Sequence, residues 1–395
     1  MLDGKGACIA VLLICLAGTV CAQEDARIRC FLLGKVSQSA CPFTGYFRDD
    51  PLFILNLEPI PADLPDPDKR KIDRQYFPRN REGLLMYDFI VFSDARVQHF
   101  TPRQLNDLDY AFREGGVTSF SSFGPSWIHA FEPTTLYDIV PIYDYDFYFH
   151  RPWRVKFRPE REPVFAPFVE LGIERIWGEA YGEATPRQGT TTWADMEPNG
   201  FPWLISWRPG GKSAGIAWVC ADEFNTVWWG LAPGSRGKNP YAIDLTTNLV
   251  LYSMGRPLIS DIPSRREARR LLATFQAQKS LVLSMMEWAD NFGANIFPLS
   301  EELTTLEEDV ESAIETYLDQ DYPATISTME SMEPRLMGIS ADAIELKDQA
   351  LFWVFLSEWL VVTSVMIMSG FAVWSLMVRR RAYRDVGATR LRLSY

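Results

Sequence analysis

The sequence predicts an α/β domain on parallel strands, followed by acidic helices and one transmembrane helix. Three observations predict it. Residues 87–123 read as one β–α–β unit, residues 264–358 keep helical apolar spacing in an acidic background, and residues 359–378 contain no charge.

Residues 1–22 read as a signal peptide. Lys5 supplies a positive start, Ala7 to Val20 an apolar run short for a membrane span, and Val20-Cys21-Ala22 the small residues of a cleavage site. The exported part then runs over residues 23–262. Residues 27–35 and 52–57 read as strands, and a Pro- and Asp-rich loop from Pro59 to Pro67 comes after them.

The clearest segment begins at Tyr87-Asp88-Phe89-Ile90-Val91-Phe92-Ser93-Asp94. A nearly continuous apolar run of that length suits a strand buried on both faces, as in a parallel sheet. Thr101 with Gln104 forms a capping box, and Pro102 at the first helical position strengthens it. Leu105, Leu108 and Phe112 share a helical face, Gly115-Gly116 stops the helix, and residues 117–123 read as the next strand. The middle, 131–200, is rich in aromatics, Pro and Gly and gives no firm element. Residues 203–207 and 213–220 read as a hairpin around Pro209-Gly210-Gly211-Lys212, and a helix is expected over 244–254.

Taken in order, Tyr87 to Asp94, the Leu-x-x-Leu helix before Gly115-Gly116, Pro202-Trp203 through Lys212, Asp222 and Trp229-Gly230 resemble the glutamine amidotransferase domain family of the class I glutamine amidotransferase-like superfamily. The resemblance covers roughly residues 27–260 and implies a flavodoxin-like α/β fold. The family's glutaminases use a cysteine on a strand-to-helix elbow, activated by a His–Glu pair, because a thiolate must attack the amide. Here the strand after Gly116 reads Val-Thr-Ser-Phe-Ser-Ser-Phe with no cysteine, and His99, His129 and His150 do not fall at the base position. Glutaminase activity is therefore not expected, and no catalytic residue is assigned.

The same residues raise other chemistry. Ser119, Ser121 or Ser122 with His129 would make a serine hydrolase, but no G-x-S-x-G elbow is present. Asp94 and Asp222 follow the C-terminal ends of strands, where open α/β sheets bind ligands. Asp94, Ser122 and Asp222 are the candidate ligand-binding residues. Asp138, Asp144, Asp146 and His150 read as a solvated loop rather than a metal site. Gly210-Gly211-Lys212-Ser213 lacks the upstream glycine of a P-loop, so neither cofactor nor metal is expected.

Cleavage after Ala22 would leave Cys30, Cys41 and Cys220 of the six cysteines. In an oxidising compartment Cys30 and Cys41 are the candidates for a disulfide, while Cys220 in an apolar run reads as a buried small hydrophobe. The formal net charge is −12; residues 379–395 hold six Arg against Asp385, a net +5, which leaves −17 for the rest. That acidity argues against nucleic acid as a partner.

Residues 263–358 form an acidic helical stalk with 15 acidic residues from Glu301 to Glu358 against Arg335 and Lys347. Its apolar stripes must bury against one another, the α/β domain or a second chain, so a homo- or hetero-oligomer through the stalk is one expectation. Residues 359–378 would cross about 30 Å as a helix. Trp359 and Trp374 sit near its ends, and Arg379, Arg380 and Arg381 follow. The positive-inside bias puts the basic tail, 379–395, in the cytoplasm and the N-terminal domain outside a cell membrane.

The functional expectation is a non-catalytic single-pass membrane protein whose amidotransferase-like domain serves ligand binding, sensing or surface assembly. The rivals are a hydrolase-type enzyme using Asp94 and Asp222 or Ser122, and a subunit of a membrane complex held through its stalk.

Overall fold

The computed structural model describes residues 26–34, 47, 48, 50–57, 64–93, 95, 97–122, 127–158, 162–221 and 240–390. Two compact units emerge. One comprises the described residues up to Ala273 together with 313–327, and the other 274–312 together with 328–390.

The first unit is built on one nine-stranded sheet. Its strands are β1 (Ile28–Gly34), β2 (Phe53–Leu57), β3 (Phe89–Ser93), β4 (Thr118–Ser122), β5 (Ile142–Phe157), β6 (Arg175–Pro186), β7 (Thr191–Glu197), β8 (Phe201–Trp207) and β9 (Ala217–Cys220). Their order in space is β2-β1-β3-β4-β9-β8-β7-β5-β6. The first five pair in parallel, and every pairing from β9 to β6 is antiparallel. Strands β3 and β9 run apolar almost without alternation because both faces are covered: each is buried at every position.

Helix α1 (Asp66–Tyr76) and the short α2 (Arg81–Leu84) lead into β3, and α3 (Pro102–Arg113) leads out of it. The capping box that starts α3 is present in both directions. Gln104 N–H donates to Thr101 Oγ1 at 3.3 Å, and Thr101 N–H donates to Gln104 Oε1 at 2.8 Å. Such a cap is worth about 1 kcal/mol. Glycine ends the helix, with Gly116 in the left-handed region at φ +73°. The helix lays Leu108, Ala111 and Phe112 on the sheet, where Phe112 meets Phe92 edge-on at 5.9 Å.

The opposite face carries Phe89, Phe120 and Trp218, whose rings contact one another in sequence. Helix α6 (Ala242–Ser253) covers it, and Trp218 Nε1 donates to Ser253 Oγ at 2.7 Å. The buried Trp218 thus keeps its one donor satisfied.

The middle of the chain departs from expectation. Residues read as a solvated loop around Asp144, Asp146 and His150 lie in β5, a 16-residue strand paired with β6. Register shifts at 142–144 and 147–151 break its alternation, so the sequence shows no period-2 pattern there. Arg187 pins this extension. Its guanidinium donates to the carbonyls of Tyr137, Val140 and Ile142 at 2.9, 2.9 and 3.1 Å. Between β5 and β6 lies α5 (Glu162–Glu170), and α4 (Trp127–Phe131) precedes β5. The expected hairpin of 203–207 and 213–220 is β8 and β9, paired from Leu204–Cys220 to Trp207–Ala217.

Three long helices complete the chain: α7 (Ile262–Asn291), α8 (Phe297–Leu318) and α9 (Tyr322–Arg390). In the second unit they bury stripes at three- and four-residue spacing. These are Phe275, Val282, Met286 and Ala289 on α7; Leu299, Leu303, Leu306 and Val310 on α8; and Met329, Met332, Leu336, Ile339 and Ala343 on α9. That periodicity is what a helical bundle requires. Ion pairs join α7 to α8 (Lys279–Glu307, 2.5 Å) and α8 to α9 (Arg335–Asp309, 2.6 Å). Pro298 and Pro323 stand at helix starts, whereas Pro334 lies inside α9. Among the described residues, α9 is the one helix long and apolar enough to cross a membrane, and its most apolar stretch is wholly unburied.

Candidate functional site

The parallel strands end together. Gly34 on β1, Ser93 on β3, Ser122 on β4 and Cys220 on β9 are successive register partners. The chain leaves β1 for β2 on one side and returns to β3 on the other, so the strand order reverses between β1 and β3. Open α/β sheets bind ligands at such a reversal, outside the carboxyl ends of the strands. Of the predicted site residues, Ser122 ends β4 on this edge. Asp94 follows Ser93 by one position and Asp222 follows Cys220 by two, so all three belong to one edge in sequence; Asp94 and Asp222 themselves lie outside the described residues.

The reversal point is tightly closed. Gly34 has φ +97°, and a Cβ there would lie 2.2 Å from the Ser93 carbonyl oxygen. Only glycine allows β1 to end so close to the β3 backbone. Ser93, Ser121 and Cys220 are buried. Below the edge, Phe92, Phe112, Ser119, Ser121 and Phe131 line a cavity of about 10 Å³, room for one water at most. Cys30 is a free thiol buried in β1, and burial, aided by the nearby Asp88 carboxylate, pushes its pKa well up. Its sequence-proposed partner Cys41 lies outside the described residues, as does the signal segment 1–22.

The strongest electrostatic feature lies elsewhere, in a buried cluster of two Asp and two Arg. Asp50 precedes β2, Asp244 lies in the first turn of α6, and Arg265 and Arg269 are one turn apart on α7. Arg265 donates to Asp244, to Asp50 at 2.5 Å and to Thr247 at 3.4 Å. Arg269 donates to both Asp244 oxygens, at 2.8 and 3.0 Å, and to Asp50 at 3.4 Å. Tyr317 Oη and the Leu52 N–H also donate to Asp50, at 3.1 and 3.0 Å. Arg265, Asp50 and Asp244 are at most 1% exposed. Two carboxylates and two guanidiniums balance to zero, which is how such burial is tolerated.

Burial would lower the Arg265 pKa, but the Asp50 carboxylate, Tyr317 and Asp244 outweigh it and raise the pKa well above its usual value. Burial raises the Tyr317 hydroxyl too, and holds Tyr322 at about 12. The cluster is a clasp: its charges are matched in place, and it ties the start of β2, α6, α7 and the end of α8 into one unit.

No family model and no curated protein match the sequence. Among solved structures, the mmIFT52 N-terminal domain is a weak neighbour, with TM-score 0.32 and 10% identity over 56% of this chain and 96% of that one. The Trypanosoma brucei CTPS glutaminase domain with bound acivicin is another, with TM-score 0.30 and 11% identity over 58% and 94%. The unit is a mixed α/β fold with a large central sheet, and the chain carries a C-terminal helix of membrane-like apolarity.

Two features are invisible in the sequence pattern. Arg265 and Arg269 sit in the charged run Arg265-Arg266-Glu267-Ala268-Arg269-Arg270, and their partner Asp50 lies 215 positions before Arg265. A cavity of about 470 Å³ on the antiparallel half is lined by Lys156, Phe157, Arg158, Phe165, Val169 and Glu170. Phe157 and Phe165 stack at 4.3 Å and 2° on its wall, and Arg158 is held bidentately by Asp195 at 2.7 and 2.8 Å. Its size falls in the range of small-molecule sites. Among the described residues, no group of His, Cys, Asp and Glu could hold a metal.

Proposed function

We propose that this chain is a membrane-anchored, non-catalytic binding protein. Its α/β unit is of flavodoxin-like, amidotransferase-like fold and stands outside the cell, residues 1–22 direct export, and residues 379–395 lie in the cytoplasm. The observation that carries the anchor is the uncharged stretch Trp359 to Val378 on α9, where Ile367 and Met368 are each 72% exposed. So much apolar surface on one helix calls for lipid. Arg379 to Arg381 beyond it and Asp342, Glu345, Asp348 and Glu358 before it support the orientation.

The strand order β2-β1-β3-β4-β9 supports the fold, being the 2-1-3-4-5 order of flavodoxin-like sheets. The cysteine-free strand β4 supports binding rather than glutaminase chemistry. Ligand binding is assigned to the edge carrying Asp94, Ser122 and Asp222.

The test is carbonate extraction of membranes from cells expressing the full chain. The wild type stays with the membrane. Ile367→Arg, which costs about 2.5–3.5 kcal/mol of insertion at mid-span, shifts protein to the soluble fraction. Wild-type protein released by carbonate would end the proposal. Glutamine hydrolysis by the purified chain that is lost on Ser122→Ala would end its non-catalytic part.

A second reading has one observation behind it. Leu281 and Met337 on the helical unit are 60% and 61% exposed, which favours self-association or a partner chain through the stalk. Crosslinking that returns monomers alone excludes it.

A further inference from the structure

Helices α7 and α8 are joined by a short turn, and the aromatic residues around it face solvent. Phe297 is 71% exposed and Phe292 47%, and Trp288 packs on Phe292 with ring centroids 4.4 Å apart. Each phenylalanine ring left in water forgoes the hydrophobic stabilisation that its burial would give. A bundle that buries its stripes so regularly elsewhere has a reason to leave these out.

Two ion pairs fix the level of this turn along α9. Arg335 on α9 meets Asp309 on α8, and Lys279 on α7 meets Glu307 on α8. From Asp309 down α8 to Phe297 the axis falls about 18 Å. The same fall along α9 leads from Arg335 to about Lys347. By the same measure Phe292 comes level with about Ala350. Ala350 is the last buried residue of α9 among the described residues; beyond it Phe352, Trp353 and Phe355 are 62%, 65% and 58% exposed. The turn therefore lies within about 10 Å, in helix rise, of the aromatics that introduce the apolar stretch.

We infer that the α7–α8 turn is a second contact with the bilayer, an inference that rests on the membrane anchor proposed above. Phe292 and Phe297 seat in the headgroup layer beside Phe352, Trp353 and Phe355, where aromatic rings are favoured. The surrounding charge selects the lipid. Glu287, Asp290, Glu301, Glu302, Glu345 and Asp348 are exposed near the turn, so zwitterionic headgroups are accepted and anionic ones repelled. The stalk then meets the surface at two points rather than hanging from a single helix, and this fixes its tilt.

The test places a photocrosslinking benzoylphenylalanine at one position at a time in the full chain, reconstituted in phosphatidylcholine vesicles. Position 367 reports the anchor, 297 the turn and 312, an exposed serine about 22 Å further from the membrane, the background. Lipid adducts at 367 and 297 but not 312, with the 297 adduct reduced when phosphatidylserine is added, are the expected result. Adducts at 367 without any at 297 overturn the inference and leave the anchor standing. Absence of adducts at 367 overturns the anchor itself. A 297 adduct to a second protein chain overturns the inference in favour of a dimer. A 297 adduct that grows with phosphatidylserine overturns the headgroup assignment.

Discussion

Replacing Arg265 by Met tests the clasp directly. Arg265 is fully buried and bonded to both Asp50 and Asp244. The substitution keeps the aliphatic bulk, so cavity formation contributes little, and the dominant cost is electrostatic. Two buried carboxylates would share the single guanidinium of Arg269, which reaches Asp50 at only 3.4 Å. Breaking a buried pair in this way costs about 3–5 kcal/mol. At about 2–4 °C per kcal/mol for a unit of this size, the melting temperature should fall by roughly 6–20 °C.

The assay is thermal unfolding of the full chain in detergent, followed by near-ultraviolet circular dichroism. The packed rings of Trp193, Trp218 and Tyr252 supply the signal. Charge balance makes a second claim. Adding Asp50→Asn to Arg265→Met leaves Asp244 with Arg269 and should recover about 2 kcal/mol, a coupling typical of contacting residues. A single variant melting within about 2 °C of wild type, or a double variant whose losses simply add, would refute the reasoning.

Three further measurements bear on other parts of the fold. Tyr322 has a folded pKa of about 12, above its unfolded value of 10.0, so the stability it contributes is complete below pH 10 and lost as pH rises towards 12. Urea titrations across that window should show a loss of roughly 2–3 kcal/mol that is smaller in Tyr322→Phe. Gly34→Ala meets both a positive φ and the Ser93 carbonyl; a loss of at least about 2 kcal/mol is expected in urea unfolding, and wild-type stability would contradict the close approach. Cys30, buried and with a raised pKa, should resist alkylation in the folded chain and react on denaturation. Mass spectrometry of labelled peptides decides this, and rapid labelling under native conditions would count against the β1 environment described.

What is legible in the sequence is local. Thr101 and Gln104 declare a helix start because the cap is a contact across three residues, and the run through Val91 declares a strand because both its faces are buried. The apolar stretch of α9 needs only length and composition. Features that depend on distant pairing are not legible. Strand β9 joins β4 across about a hundred residues of chain, and no periodicity encodes that neighbour. Strand β5 hides because bulges interrupt its alternation. Strand ends alone locate the candidate edge, whereas the clasp escapes notice, since Arg265 shows its partner only after Asp50 has been brought from 215 positions away.

That separation bears on how the chain is made. Synthesis delivers Asp50 early and its guanidinium partners only with the first turns of α7; Tyr317 comes later still. Until then the Asp50 carboxylate has no counter-charge and stays in water, since an isolated buried carboxylate costs several kcal/mol. The outer edge of the sheet beside β2 therefore cannot close over it on the ribosome while the later helices are unmade. Maturation of the α/β unit waits on the arrival of the later helices, so a chain truncated before α7 should present an unfinished edge to chaperones rather than a settled domain.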